Sequence, residues 1–358
     1  MARGRVEEGM TKPLEPAPLV FPFPAPPEPG QTIEVAPGIL WARIPLPFRL
    51  DHVNVYLIDD GDGWAVVDTG IDNEAAREAW NALLAGPLAG RRLTRLIVTH
   101  MHPDHIGLAG WLTEQFAIPL LTSQTAYADS LNLSLAPGRM QAPVYRNFYL
   151  RNGLDEATTA LIATMGHDYL GMVAPLPPTF ERLVAGDRLT IGGRVFDVLT
   201  GEGHAPEQLM LFCREDRLFL AADQTLARIS PNVSVVAASP RDDPLGLFLR
   251  SLRALSADLP ADALVLAGHQ LPFFGLHERA GELAAHHAAR CAALLRACRE
   301  APHRPAELLP VMFTRKLDPH QMGFAFSELL AHVNYMLARG DLRWVDGAKD
   351  HARLTAAR

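Results

Sequence analysis

Hydrophobic and polar positions change their period several times along this 358-residue chain, and each change predicts an element. From Ile33 onward short β-rich runs dominate, and NVYLIDDGDGWAVVDTG reads as two strands around a Gly/Asp turn, a strong hairpin signal. Glu74 to Leu84 has the spacing of an amphipathic helix and RLIVTH that of a buried strand; Ile106 to Phe116 reads as a helix with Leu108, Leu112 and Phe116 on one face. Strands resume with RVFDVLT, LMLFCREDRLFLAAD reads as a second hairpin, and ADALVLAGH as a further buried strand. Past Leu276, ERAGELAAHHAARCAALLRACRE and FAFSELLAHVNYMLARGDLRWV carry the helical period on either side of a proline-containing linker, so the tail is predicted to be almost entirely helical.

Two stretches depart from this rhythm. Residues 1–32 hold the proline-rich run PLEPAPLVFPFPAPPEPG, whose prolines remove backbone donors and fix extended conformations; an N-terminal arm lying over the main domain is expected. Residues 125–181 are helical in propensity, rich in Met, Tyr, Asn and Arg, and end at Pro175, Pro177 and Pro178, which predicts an inserted helical cap. The expected organisation is therefore an arm over 1–32, an α/β domain over 33–275 with its insertion, and a C-terminal helical region over 276–358 of winged-helix-like form, serving packing or dimerisation. A homodimer is left open.

Composition narrows the class. With 48% hydrophobic and 20% charged residues the chain should fold as a globular protein. A net charge of -7 gives no long-range attraction to phosphate backbones or anionic lipid, so nucleic acid is disfavoured and a small-molecule partner favoured. Cys213, Cys291 and Cys298 form no CxxC pair and leave an odd thiol, which suits a reducing compartment and buried, inert thiols. MARGRVEEGM lacks the apolar core of a secretory signal, and no stretch approaches the roughly 20 apolar residues of a membrane span, so a cytoplasmic protein without membrane partners is expected.

The chemistry concentrates in THMHPDHIG, where His100, His102, Asp104 and His105 occupy a strand-to-helix loop. Imidazole and carboxylate are ligands that a borderline-soft divalent ion such as zinc accepts. Asp104 could serve only as a helix-dipole partner, but three more candidates sit in equivalent settings: His204 in TGEGH after RVFDVLT, Asp223 after RLFLAA, and His269 in AGH after ALVL. Strand ends converge at one rigid edge of a sheet core, which predicts a shared site. Seven ligands exceed one tetrahedral zinc and suit two ions.

HxHxDH followed by separate His, Asp and His residues resembles the motif set of the metallo-β-lactamase superfamily over about residues 33–275. The resemblance implies a four-layer αββα sandwich, one metal held by His100, His102 and His204, a second by Asp104, His105 and His269, and Asp223 bridging the two. Asp68 in VVDTG matches an aspartate that supports the ligands from behind. The helical tail resembles that of the β-lactamase-like protein 2 group. From His105 to His204 the chain runs 99 positions, long for a simple member of the family, in agreement with an inserted cap.

The expected reaction is hydrolysis of an ester-like bond, a thioester or a lactone. Two divalent ions, zinc first and iron or manganese as substitutes, would acidify a water into a metal-bound hydroxide and polarise the scissile group; Asp104 or Asp223 would orient the nucleophile or relay a proton. No GxSxG elbow, P-loop or GxGxxG fingerprint competes with this reading. Tyr127, Tyr145, Tyr149, His167 and Tyr169 are candidate substrate contacts, and Met140, Met165 and Met172 suggest an adaptable apolar lining for an acyl arm. The alternatives are a mononuclear-iron persulfide dioxygenase and a metal-dependent nuclease.

Overall fold

The computed structural model describes residues 18–136, 138, 142–164, 169–314, 317, 319–345 and 352–357. Two sheets carry the fold. The first runs in sequence order through β1 (Ile33–Ala36), β2 (Ile39–Pro45), β3 (His52–Asp59), β4 (Gly63–Val67), β5 (Arg92–Ile97), β6 (Leu120–Thr122) and β7 (Glu181–Arg182). It is antiparallel from β1 to β4 and parallel from there on. The second contains β8 (Arg188–Ile191), β9 (Arg194–Gly201), β10 (Gln208–Cys213), β11 (Leu218–Ala222) and β12 (Leu264–Ala267), antiparallel except for the β11–β12 pair.

Period-two alternation sorts the strand side chains into layers. Ile39, Trp41, Tyr56 and Ile58 of the first sheet meet Phe196, Val198, Leu209 and Leu211 of the second in a buried interlayer. The intervening Ala42, Ile44, Val55 and Leu57 face outward onto Trp80 and Leu83 of α1 (Glu74–Ala85) and onto Leu108 and Leu112. The opposite flank is covered where Met210, Phe212 and Phe219 pack on Leu255 and Leu259. The result is the expected αββα sandwich.

The predicted helix over Ile106 to Phe116 is divided into a single turn, α2 (Pro103–Ile106), and α3 (Ala109–Phe116). A Cβ on Gly110 would lie 1.7 Å from the carbonyl oxygen of Pro175, so only glycine lets α3 seat against the backbone of the proline cluster. The insertion forms α4 (Gln124–Leu135), α5 (Pro143–Arg151) and α6 (Glu156–Thr164). A helix that the apolar pattern had not singled out, α7 (Pro244–Asp258), is capped by Asp243, whose carboxylate accepts from the Gly246 amide.

The tail contains α8 (Leu276–Glu300), a 3-10 turn, α9 (Leu309–Met312) and α10 (Pro319–Arg339). It is not all helix. At Gly340, φ 75°, the chain leaves the helical conformation and LRW becomes β13 (Leu342–Trp344), paired antiparallel with β14 (Leu354–Ala356). The insertion and the tail share one core: Tyr149, Leu154 and Ile162 pack with Phe248, Leu308, Phe326 and Leu329. The proline-rich arm, where described, lies on the sandwich, with Val20 bridging to Phe274 and Phe23 packing on Trp41. Among the described residues no helix is long and apolar enough to cross a membrane. Cys213 and Cys298 are buried, and burial pushes the Cys291 and Cys298 thiols up to about 11, as inert packing residues require.

Candidate metal centre

Each chemically significant residue lies just past the C-terminal end of a strand. Asp68 follows β4, His100 to His105 follow β5, His204 follows β9, Asp223 follows β11 and His269 follows β12. The backbone bends sharply where two of these strands stop, with φ 63° at Asp68 and 45° at Ala222. Both are L-residues in the left-handed region, conformations that a surrounding structure must hold.

The seven predicted ligand positions converge. His100, His102 and His204 form one group, Asp104, His105 and His269 a second, and His100, His105 and Asp223 a third; within each group the donor atoms all lie within 4.8 Å of one another. Asp223 faces both sides, with Oδ2 3.4 Å from His204 Nε2 and 3.3 Å from His269 Nε2, and Oδ1 3.6 Å from His105 Nε2. Asp104 Oδ2 is 3.3 Å from His269 Nε2 and 3.6 Å from His105 Nε2.

Outer partners decide which nitrogens point inward. His204 Nδ1 donates to the Asn232 carbonyl at 2.8 Å, and His269 Nδ1 to the His52 carbonyl at 2.8 Å. His105 Nδ1 donates to Asp68 Oδ2 at 2.8 Å, and the same carboxylate accepts from the Thr99 amide and hydroxyl at 2.8 and 2.9 Å. The imidazole Nε2 atoms of these three residues thereby point into the cluster. His105 Nε2, His204 Nε2 and Asp223 Oδ1 are buried without a hydrogen-bond partner, a costly state for polar atoms that a divalent cation would relieve. Donor chemistry, number and burial all fit one or two such ions.

The charges point the same way. Burial, aided by the neighbouring imidazoles of His105 and His102, holds His100 well below the usual histidine range, and burial beside His204 takes His102 down to about 3. These two are neutral imidazoles, the form that ligates metal. Burial opposes the charged form of His105 and His269 too, but the carboxylates around them outweigh it, raising His105 well above its ordinary value and His269 to about 10. Burial likewise opposes ionisation of Asp104 and Asp223, while His105 and His269 hold both carboxyls below the carboxylate range. The carboxylates thus draw positive charge into the cluster, a role a metal cation fills at neutral pH.

Above the cluster opens a cavity of about 460 Å³ whose lining includes His102, Asp104, His204, Asp223 and His269. Of the five residues expected to contact substrate, Tyr169 lines it; its hydroxyl donates to the Met101 carbonyl at 2.9 Å and lies 2.8 Å from Ser130 Oγ. Met172 lines it as well. Tyr127 lies elsewhere, stacked on Phe180 and donating to the Pro177 carbonyl. Tyr145 and Tyr149 are buried in the helical insertion, Tyr149 against Phe326 at 6.1 Å. Neither lines the cavity. His167, Met140 and Met165 lie outside the described residues. The sequence reading missed the carbonyls of Asn232 and His52, which no residue type advertises, and the cavity walls contributed by Phe48, Leu50, Ile229 and Phe324.

Removing one charge behind the ligands tests the role of the outer partners. Asp68→Asn keeps the shape while weakening the anchor of His105, and is expected to lower metal affinity by about 10–100-fold, measured by competition with a chromogenic chelator. Unchanged affinity would show that Asp68 only stabilises the turn.

The chain belongs to the metallo-beta-lactamase superfamily: the model of that family matches residues 48–269, and that of the metallo-beta-lactamase-like C-terminal domain matches residues 291–357. It is similar to the crystal structure of a beta-lactamase domain protein from Burkholderia ambifaria, at 38% identity and TM-score 0.86 over 95% of this chain and 98% of that one. A metallo-beta-lactamase family protein from Thermus thermophilus follows at 31% identity and TM-score 0.76, over 90% and 100%. Among curated sequences, Probable metallo-hydrolase YqjP of Bacillus subtilis (strain 168) is 25% identical over 256 residues, 65% of this chain and 72% of that protein. The chain is an enzyme of the metallo-hydrolase type.

Proposed function

We propose that the protein hydrolyses an ester-like bond, a thioester or a lactone, with two zinc ions. The observation that carries this reading is the pair of three-residue donor groups meeting at Asp223 on the floor of a cavity. His100, His102 and His204 would hold one ion, Asp104, His105 and His269 the other, and Asp223 both. Ions bound there supply Lewis acidity toward the scissile oxygen and make water a nucleophile near neutral pH.

The chain's own part is positional. Asp104 and Asp223 reach the cavity, set to orient an attacking water or relay its proton. Asn232, His52 and Asp68 fix the tautomers of His204, His269 and His105 from behind, so the donors need no rearrangement to bind metal.

The test is metal content by plasma mass spectrometry on protein purified without added metal, together with turnover of a small thioester, a lactone, a cephalosporin and a phosphodiester. Close to two zinc ions with turnover of the thioester or the lactone is the expected result. About one iron, with oxygen uptake on a persulfide, would replace this reading with a dioxygenase; turnover confined to the phosphodiester and lost steeply with salt would replace it with a nuclease.

A further inference from the structure

We infer that the substrate presents to this site an uncharged, apolar arm, and that Phe324 of the C-terminal region is one of the residues that select it. The inference rests on the hydrolase reading above and adds to it the class of substrate. In the reaction so specified, water adds across an acyl C–O or C–S bond: its oxygen joins the acyl carbon, the bond to the alkoxide or thiolate breaks, and that leaving group departs with a proton.

The cavity is strongly two-faced. Its floor is the histidine and aspartate cluster; its walls are Phe48 and Leu50 from the β2–β3 loop, Met172 from the end of the insertion, Leu226 and Ile229 from the segment after Asp223, and Phe324 from α10. Four separate parts of the chain thus supply apolar side chains to one space, a convergence that random surface exposure does not produce. Its volume, about 460 Å³, falls in the range of roughly 300–1,000 Å³ found for small-ligand sites.

Several polar groups of the walls are already engaged within the protein. The Tyr169 hydroxyl donates to the Met101 carbonyl, the Ser230 hydroxyl to the Pro231 carbonyl at 3.3 Å, and the Asn232 carbonyl accepts from His204. No lysine or arginine lines the cavity among the described residues. A carboxylate or phosphate carried on the arm, as in a glutathione or nucleotide thioester, would lose its hydration against these walls and gain no counter-charge, which is heavily unfavourable. An alkyl or aryl arm gains with every methylene it buries. Phe324 belongs to the C-terminal helices and yet stands over the catalytic sandwich, which gives those helices a part in selection beyond packing.

The inference can be tested by binding, apart from turnover. On the metal-loaded protein, titration calorimetry should find decanamide bound at least tenfold more tightly than its carboxylated counterpart, the monoamide of decanedioic acid, and more tightly than butanamide. Phe324→Ala should weaken decanamide about tenfold and leave butanamide unchanged. Ile229→Arg, which places a cation in the wall, should reverse the preference toward the acid. Equal or tighter binding of the acid by the unaltered protein would overturn the inference even if the thioester and lactone are hydrolysed. Preference for decanamide with no hydrolysis of any panel member would instead remove the hydrolase reading and leave the pocket's selectivity standing.

Discussion

Asp223→Ala is expected to reduce bound metal from two ions to at most one and to lower turnover by more than the roughly 10–100-fold typical of changes behind the ligands. Asp223 approaches both donor groups, lying 3.4 Å from His204 and 3.3 Å from His269 through the same oxygen. Its loss removes the negative charge that faces His204, His105 and His269, so the cluster loses attraction for a cation on both sides at once. The sandwich should survive, because Asp223 lies beyond the end of β11 and outside the interlayer core. Plasma mass spectrometry, far-ultraviolet circular dichroism and the turnover assay check the three parts together. A variant that kept both ions and full turnover would show that the two groups do not work as one centre.

Phe248→Ala is expected to cost about 3–5 kcal/mol of stability, the usual range for emptying a fully buried aromatic site. Phe248 is 0% exposed and lies in the core shared by the insertion, α7 and the C-terminal helices, with its ring edge-on to His287 at 5.6 Å. The effect should extend to the metal centre. Gly203, beside the candidate ligand His204 and at φ 95°, packs so closely on α7 that a Cβ there would lie 2.5 Å from Phe248 Cβ. Alanine keeps that Cβ, but the cavity left by the ring loosens the seating of α7, on which the His204 loop rests, and metal affinity should fall along with the denaturation midpoint. Chemical denaturation followed by circular dichroism measures the first and chelator competition the second. A large loss of stability with unaltered metal affinity would show that the loop is held by its own contacts alone.

These two residues mark the boundary between what was legible in the chain and what was not. Asp223 could be read directly, because an aspartate directly after an apolar strand stands out from its surroundings by residue type alone. His100, His102, Asp104, His105, His204 and His269 were legible for the same reason: ligand chemistry is intrinsic to the side chain, and strand ends are marked by the change from apolar to polar positions. The hairpins and α1 followed from local period, which depends only on neighbours in sequence. Phe248, by contrast, is one aromatic residue among 15 phenylalanines, and nothing local says that it packs beneath the loop that carries His204.

The order of residues along the chain was enough for the alternation that builds two sheets, the seven candidate donors that converge and the family to which they point. Packing of distant segments was needed to establish that Asn232 and His52 orient the rings of His204 and His269, that Tyr127, Tyr145 and Tyr149 serve packing while Tyr169 reaches the cavity, and that Phe48 and Phe324 close one pocket from opposite ends of the chain. It also divided the predicted helix at Gly107 and turned LRW into a strand. The physical reason is the range of the forces involved. Propensity and donor chemistry act within a few residues, whereas carbonyl acceptors, apolar walls and close backbone approaches arise between segments far apart in sequence, and almost any residue can supply a carbonyl.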